Sequence, residues 1–98
     1  MSASARLGTE ASVAARIADL LRAELDLGDR PLPMETDLDA ELLVDSLAKV
    51  ELTMVIEDAF DIGMADRDVA TITTLGELVD AVSTRVAARR ARLDAAAG

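Results

Sequence analysis

A chain of 98 residues with a net charge of −9, no cysteine and no histidine is one small domain without disulfides, cysteine-based metal sites, or thiol and imidazole catalysis. Half the residues are hydrophobic but Phe60 is the only aromatic, so the core must be a small one of Leu, Val, Ile, Ala and Met. The N-terminus lacks a signal-like apolar segment and no apolar run approaches the roughly 20 residues that span a bilayer, which predicts a cytoplasmic protein with no membrane partner.

Residues 1–8 are rich in Ser and Ala without an apolar period and read as a disordered leader. A first helix is predicted to start between Thr9 and Ser12 and to run to about Leu25. Val13, Ile17, Leu20, Leu21 and Leu25 then share one face, while Arg16, Asp19, Arg22 and Glu24 turn to water. From Asp26 to Val44, Gly28, Pro31 and Pro33 break a continuous helix. A connection this long needs anchors, and Leu27, Leu32, Leu38 and Leu42 are placed to dip into the core.

Asp45 suits a helix cap, because its carboxylate accepts from free N–H groups of the first turn, and Ser46 follows at the first helical position. The central helix is predicted to reach about Asp61, with Gly63 ending it. Leu52, Val55, Ile56, Ala59 and Phe60 fall on one side, and Val50 and Met54 on a flank. Asp66 to Ala70 suits only a short helix, beneath which Met64 can pack. Thr74-Leu75-Gly76-Glu77 has the form of a capping box and opens a last helix with Leu75, Leu78, Val79, Val82 and Val86 on one face. The arginines beyond Val86 complement the negative end of that helix and read as a frayed extension. The expected fold is an all-α four-helix bundle of three longer helices and one short one, burying Leu20, Leu52, Ile56, Phe60 and Leu78 together. It is one domain over residues 1–98, ordered from about 10 to 88.

The charge is unevenly spread. Residues 35–68 hold eleven acids against Lys49 and Arg67, a net −9, while the remainder balances eight acids with eight bases. Such a field speeds encounter with basic protein faces and disfavours nucleic acid. Asp37, Asp39 and Glu41 do not make an EF-hand, since the sixth and twelfth positions from Asp37 are Leu42 and Ala48 rather than Gly and Glu. Ser46 stands out: a phosphate ester on its hydroxyl would lie where the helix dipole favours an anion.

Asp45-Ser46-Leu47, Val50-Glu51-Leu52, Ile56-Glu57-Asp58-Ala59-Phe60 and Ile72-Thr73-Thr74-Leu75 together resemble the acyl carrier protein family, without gaps from about Val13 to Val82. The resemblance implies that Ser46, between Asp45 and Leu47, carries 4′-phosphopantetheine, attached from coenzyme A by a phosphopantetheinyl transferase with Mg²⁺. It implies a non-catalytic carrier, a monomer, which holds acyl groups as thioesters. Its partners would be acyltransferase, ketosynthase or adenylating and ligase enzymes with basic docking faces. Glu51, Glu57 and Asp58 match acidic positions that carriers present to partners, and Val50, Met54, Met64 and Leu47 are candidates for an apolar lip beside the arm. Three departures bear on specificity. Leu43 stands where the family usually has Gly, Ala48 where an acid is common, and Lys49 adds a cation next to it. They favour a carrier of polyketide or specialised-metabolite biosynthesis over the fatty-acid carrier. A stand-alone peptidyl or aminoacyl carrier and an unmodified helical adaptor are the alternatives; Asp45, where peptidyl carriers more often have Gly or His, argues against the first, and Ser46 against the second.

Overall fold

Among the described residues four helices follow one another: α1 (Ser2–Leu25), α2 (Ser46–Phe60), α3 (Asp66–Thr71) and α4 (Leu75–Ala97). The computed structural model describes the backbone of residues 2–97 and the side chains of residues 12–96. Helix α1 packs against α2 and α4, and α3 closes on α2. Among the described residues no strand forms, only an isolated antiparallel bridge between Asp37 and Thr74, and no helix is long and apolar enough to cross a membrane.

The apolar stripe of α1 does what its spacing predicts. Val13, Ile17 and Leu21 are buried, joined by Ala18, with Leu20 and Leu25 half-buried beside them. Arg22 is the exception among the residues expected in water: it is half-buried, and its Nε donates to the Arg30 carbonyl at 2.9 Å. The helix also begins earlier than expected, at Ser2 in place of a leader. Residues 2–11 contain no proline, and Ala, Arg, Leu and Glu among them are good helix formers, so Thr9 and Ser12 lie within the helix instead of capping it.

Two helices end through a left-handed aspartate. Asp26 has φ 54° and the next N–H, of Leu27, donates to Arg22 O at 2.9 Å; Asp61 has φ 56° and the N–H of Ile62 donates to Glu57 O at 3.1 Å. This is the pattern that satisfies a helix's last carbonyls when one residue turns left-handed. Asp61, not Gly63, therefore stops α2, because a short polar side chain tolerates this region.

Leu52, Ile56 and Leu78 are buried in one cluster, but Leu20 and Phe60 sit only half-buried at its margin. Phe60 is the last residue of α2, and the Arg16 guanidinium covers its ring at 4.9 Å from the centroid, a cation–π contact. Val44, Val69 and Ile72 fill the interior in its place.

The long connection is pinned as its leucines require: Leu32, Leu38 and Leu42 are buried and Leu27 half-buried. It is also stitched to α4 through the backbone. Leu75 N–H donates to Thr36 O at 2.9 Å and Gly76 N–H to Met34 O at 2.7 Å, while Glu77 N–H reaches the Thr74 hydroxyl at 3.2 Å. The donors that a helix start leaves without partners are thus satisfied, two of them by the connection. A Cβ on Gly76 would lie 3.1 Å from the Met34 oxygen, tight enough that the connection would have to give way slightly to admit a side chain. The capping box closes in return, as the Glu77 carboxylate accepts from the Thr73 hydroxyl and the N–H groups of Thr73 and Thr74. Those bonds, the Thr73 hydroxyl first, hold its carboxyl down from the usual 4.5 to about 2.

Residues past Val86 remain helical to Ala97, and the arginines of α4 do more than complement a helix end. Arg85 pairs with Asp68 at 2.7 Å and Arg89 with Asp61 at 2.6 Å, so one face of α4 reaches α3 and the end of α2.

Candidate functional site

Asp45 stands outside α2 in an extended conformation (φ −77°, ψ −176°), and its Oδ1 accepts from Ala48 N–H at 2.8 Å. The first intrahelical bond runs from Lys49 N–H to Asp45 O at 2.9 Å. Ser46 is therefore the first residue of α2, and it is exposed. Among the described residues the N–H groups of Ser46 and Leu47 have no hydrogen-bond acceptor, leaving two donors and the positive end of the helix dipole beside the hydroxyl. A phosphodiester on that oxygen fits this corner, with space outside and donors behind it. Asp45 uses Oδ1 on the cap and so sets the helix start.

An apolar row flanks the serine. Leu47 is 68% exposed, Val50 50% and Met54 59%, at spacings that put them on one face of α2. Met64 does not belong to this row: it is 8% exposed and packs into the core, because the chain turns inward after Ile62. Beneath α2 the interior is nearly filled, with Leu38, Val44, Leu52, Ile56 and Val69 lining a void of about 10 Å³, room for a single water at most.

The three acids expected to face partners differ in what they do. Glu51 and Asp58 are exposed and join no ion pair among the described residues. Glu57 is half-buried, and its Oε2 accepts from Met64 N–H at 2.9 Å, which ties α2 to the segment before α3. Lys49, expected to offer a cation beside the serine, is half-buried with its Nζ donating to the Ile72 carbonyl at 2.8 Å. Its charge is committed to the fold. The carboxylates of Asp37 and Glu41 are likewise used locally, accepting from the N–H groups of Asp39 and Ala40 and of Asp37.

One residue beside the serine draws no attention from apolar patterning. Leu43 adopts φ 57° and is 83% exposed. Its N–H donates to Asp39 O at 3.1 Å and Val44 N–H to Leu38 O at 3.0 Å, so the left-handed turn swings buried Val44 under the start of α2.

Comparison with known proteins agrees with this geometry. Residues 15–82 match the family model described as the phosphopantetheine attachment site. The chain is 31% identical over 78 residues to an acyl carrier protein of Syntrophobacter fumaroxidans, covering 80% of this chain and 96% of that one. An acyl carrier protein of Chlorobium phaeobacteroides is 29% identical over 72 residues, covering 74% and 92%. In fold, the chain is similar to the solved acyl carrier protein of Thermotoga maritima, with a TM-score of 0.70 at 20% identity over 80% of this chain and 91% of that one. With Ser46 opening its central helix and family-wide similarity over most of its length, the chain belongs to the acyl carrier protein family and carries covalent 4′-phosphopantetheine.

Proposed function

We propose that Ser46 is the attachment residue and that the chain presents acyl groups to the enzymes of a polyketide or other specialised pathway. The observation that carries the first part is the exposed hydroxyl at the first position of α2, beside two unengaged N–H groups and behind an Asp45 cap. A phosphopantetheinyl transferase modifies acyl carrier proteins; here the Ser46 oxygen would form the new P–O bond as adenosine 3′,5′-bisphosphate leaves coenzyme A. The hydroxyl proton goes to a base on the transferase; this chain has no histidine, and Asp45 Oδ1 already accepts from Ala48 N–H. The arm, when bound, supplies the thiol that holds the acyl group as a thioester. The chain's own part is to position that arm and to be recognised.

Support for a specialised pathway comes from the first turn. Ala48 and Lys49 leave the immediate surroundings of Ser46 without the acid common there in the family, and Lys49 is turned to Ile72. The free acids of α2 lie farther along, at Glu51 and Asp58. Partners are therefore enzymes whose Arg and Lys side chains meet the middle of α2, with an apolar surface against Leu47, Val50 and Met54.

The test is intact mass after incubation with coenzyme A, Mg²⁺ and a transferase proven on a control carrier. The wild type gains one phosphopantetheine and Ser46→Ala gains none while keeping its helical signal, since Ala favours a helix. An unmodified wild type would overturn the assignment.

A further inference from the structure

We infer that Leu43 is a contact residue for the enzymes that act at Ser46, its side chain entering an apolar depression edged by Arg and Lys. The inference rests on the carrier function proposed above and adds a residue outside α2 to the surface those enzymes read.

Among the described residues, three that are not glycine have positive φ: Asp26, Leu43 and Asp61. Two are aspartates, which tolerate the left-handed region; leucine does not, because its Cβ crowds the following carbonyl. Strain of this kind is ordinarily offset by packing, yet Leu43 is 83% exposed, more so than any other large hydrophobic residue described. Both the backbone and the side chain of Leu43 are therefore at odds with the stability of the isolated fold. The turn itself has its own supports, in the hydrogen bonds of Leu43 and Val44 N–H and the burial of Leu38 and Val44, none of which uses the leucine side chain.

What surrounds Leu43 defines its occupant. Glu41 and Asp45 flank it two residues away on either side, with Asp39 beyond, and all three are exposed. An apolar tip set among carboxylates matches a protein surface that is apolar at its centre and basic at its rim. Leu43 lies three residues before Ser46 and the exposed row of Leu47, Val50 and Met54 begins one residue after it. Exposed apolar side chains thus precede and follow the serine along the chain.

The experiment measures kcat/KM for phosphopantetheine transfer from coenzyme A to the whole unmodified chain by a broad-specificity transferase, alongside thermal unfolding and sedimentation. Leu43→Asn keeps a side chain that tolerates positive φ, Leu43→Gly removes both strain and side chain, and Leu43→Met keeps an apolar tip. The Asn and Gly variants lose about ten-fold in kcat/KM, mainly through KM, as expected when one leucine is buried on docking, while Met stays near wild type. The Asn and Gly variants unfold at no lower temperature than wild type. Their deficit does not shrink with added salt, whereas that of Glu51→Lys does. Wild-type rates for Leu43→Asn and Leu43→Gly would overturn the inference while leaving Ser46 in its role. So would lowered melting in step with lost rate, which would make Leu43 a support of the fold, or a wild-type dimer that Leu43→Asn dissociates, which would assign the side chain to a second copy. A wild type that takes no phosphopantetheine would remove the carrier reading and the inference with it.

Discussion

The Lys49 ammonium donates to the Ile72 carbonyl at 2.8 Å, joining the first turn of α2 to the segment between α3 and α4. Ile72 is buried, and its own N–H is used on Val69 O. Lys49→Met removes the donor and leaves that carbonyl short of a partner. The expected loss is on the order of 1–3 kcal/mol, a fall in Tm of several degrees for a domain of this size. Thermal unfolding followed by circular dichroism checks it. Docking on basic partners should be unchanged or improved, since a positive charge is removed.

Phe60 and Ile56 lie one turn apart on α2 and differ in depth. Ile56 is buried and Phe60 half-buried under Arg16. Ile56→Ala is expected to cost about 2–5 kcal/mol through lost burial and the cavity left behind. Phe60→Ala should fall below the 3–5 kcal/mol or so of a fully buried ring, because solvent can enter the space it leaves. Urea unfolding of both variants gives the order.

Much of this architecture could be read from residue spacing. The stripes of α1 and α4, the leucine anchors of the connection, the Asp45 cap and the Thr74–Glu77 box are local patterns, and local patterns survive folding. What could not be read was set by partners distant in sequence. Nothing near Leu75 or Gly76 announces that Thr36 and Met34 will accept from them, and nothing near Lys49 announces Ile72. Gly63 looked like a better stop than Asp61, but the left-handed residue falls where the apolar face of α2 runs out. The partners of Arg85 and Arg89, Asp68 and Asp61, are likewise distant in sequence, and the spacing of the arginines pointed only to a helix end.

Glu51 and Glu57 should now separate on reversal to Lys. Glu51 is exposed and without an ion pair among the described residues, so Glu51→Lys slows association with a basic partner and leaves Tm within about a degree or two. Glu57 also accepts from Met64 N–H, so Glu57→Lys lowers stability as well, by roughly 1–2 kcal/mol. Stopped-flow binding across a salt series, with unfolding curves beside it, tests both. Equal salt dependence for wild type and Glu51→Lys would reduce the acidic face to a solubilising surface.

Glu77 predicts an acid limb. Its carboxyl is held at about 2, against a usual value of 4.5, chiefly by the Thr73 hydroxyl. A depressed folded-state value means that its contribution is fully present above about pH 4.5 and is lost as pH falls toward 2. Glu77→Gln should flatten the wild-type decline in stability over that window and change little at neutral pH beyond the loss of the cap itself. Urea midpoints taken from pH 5 to pH 2 give the comparison.

The two arginine pairs of α4 have an electrical consequence for the whole molecule. Asp61 closes the far end of α2, roughly 22 Å from Ser46 at 1.5 Å per residue, and it and Asp68 are neutralised by Arg89 and Arg85. Glu51, Asp45, Glu41 and Asp39, nearer the serine, have no such counter-ions among the described residues. Asp58, exposed and without an ion pair among the described residues, keeps negative charge at the far end as well, so unpaired acids run the length of α2. A basic enzyme is therefore drawn to α2 as a whole, with the charge thinned only around Asp61 and Asp68.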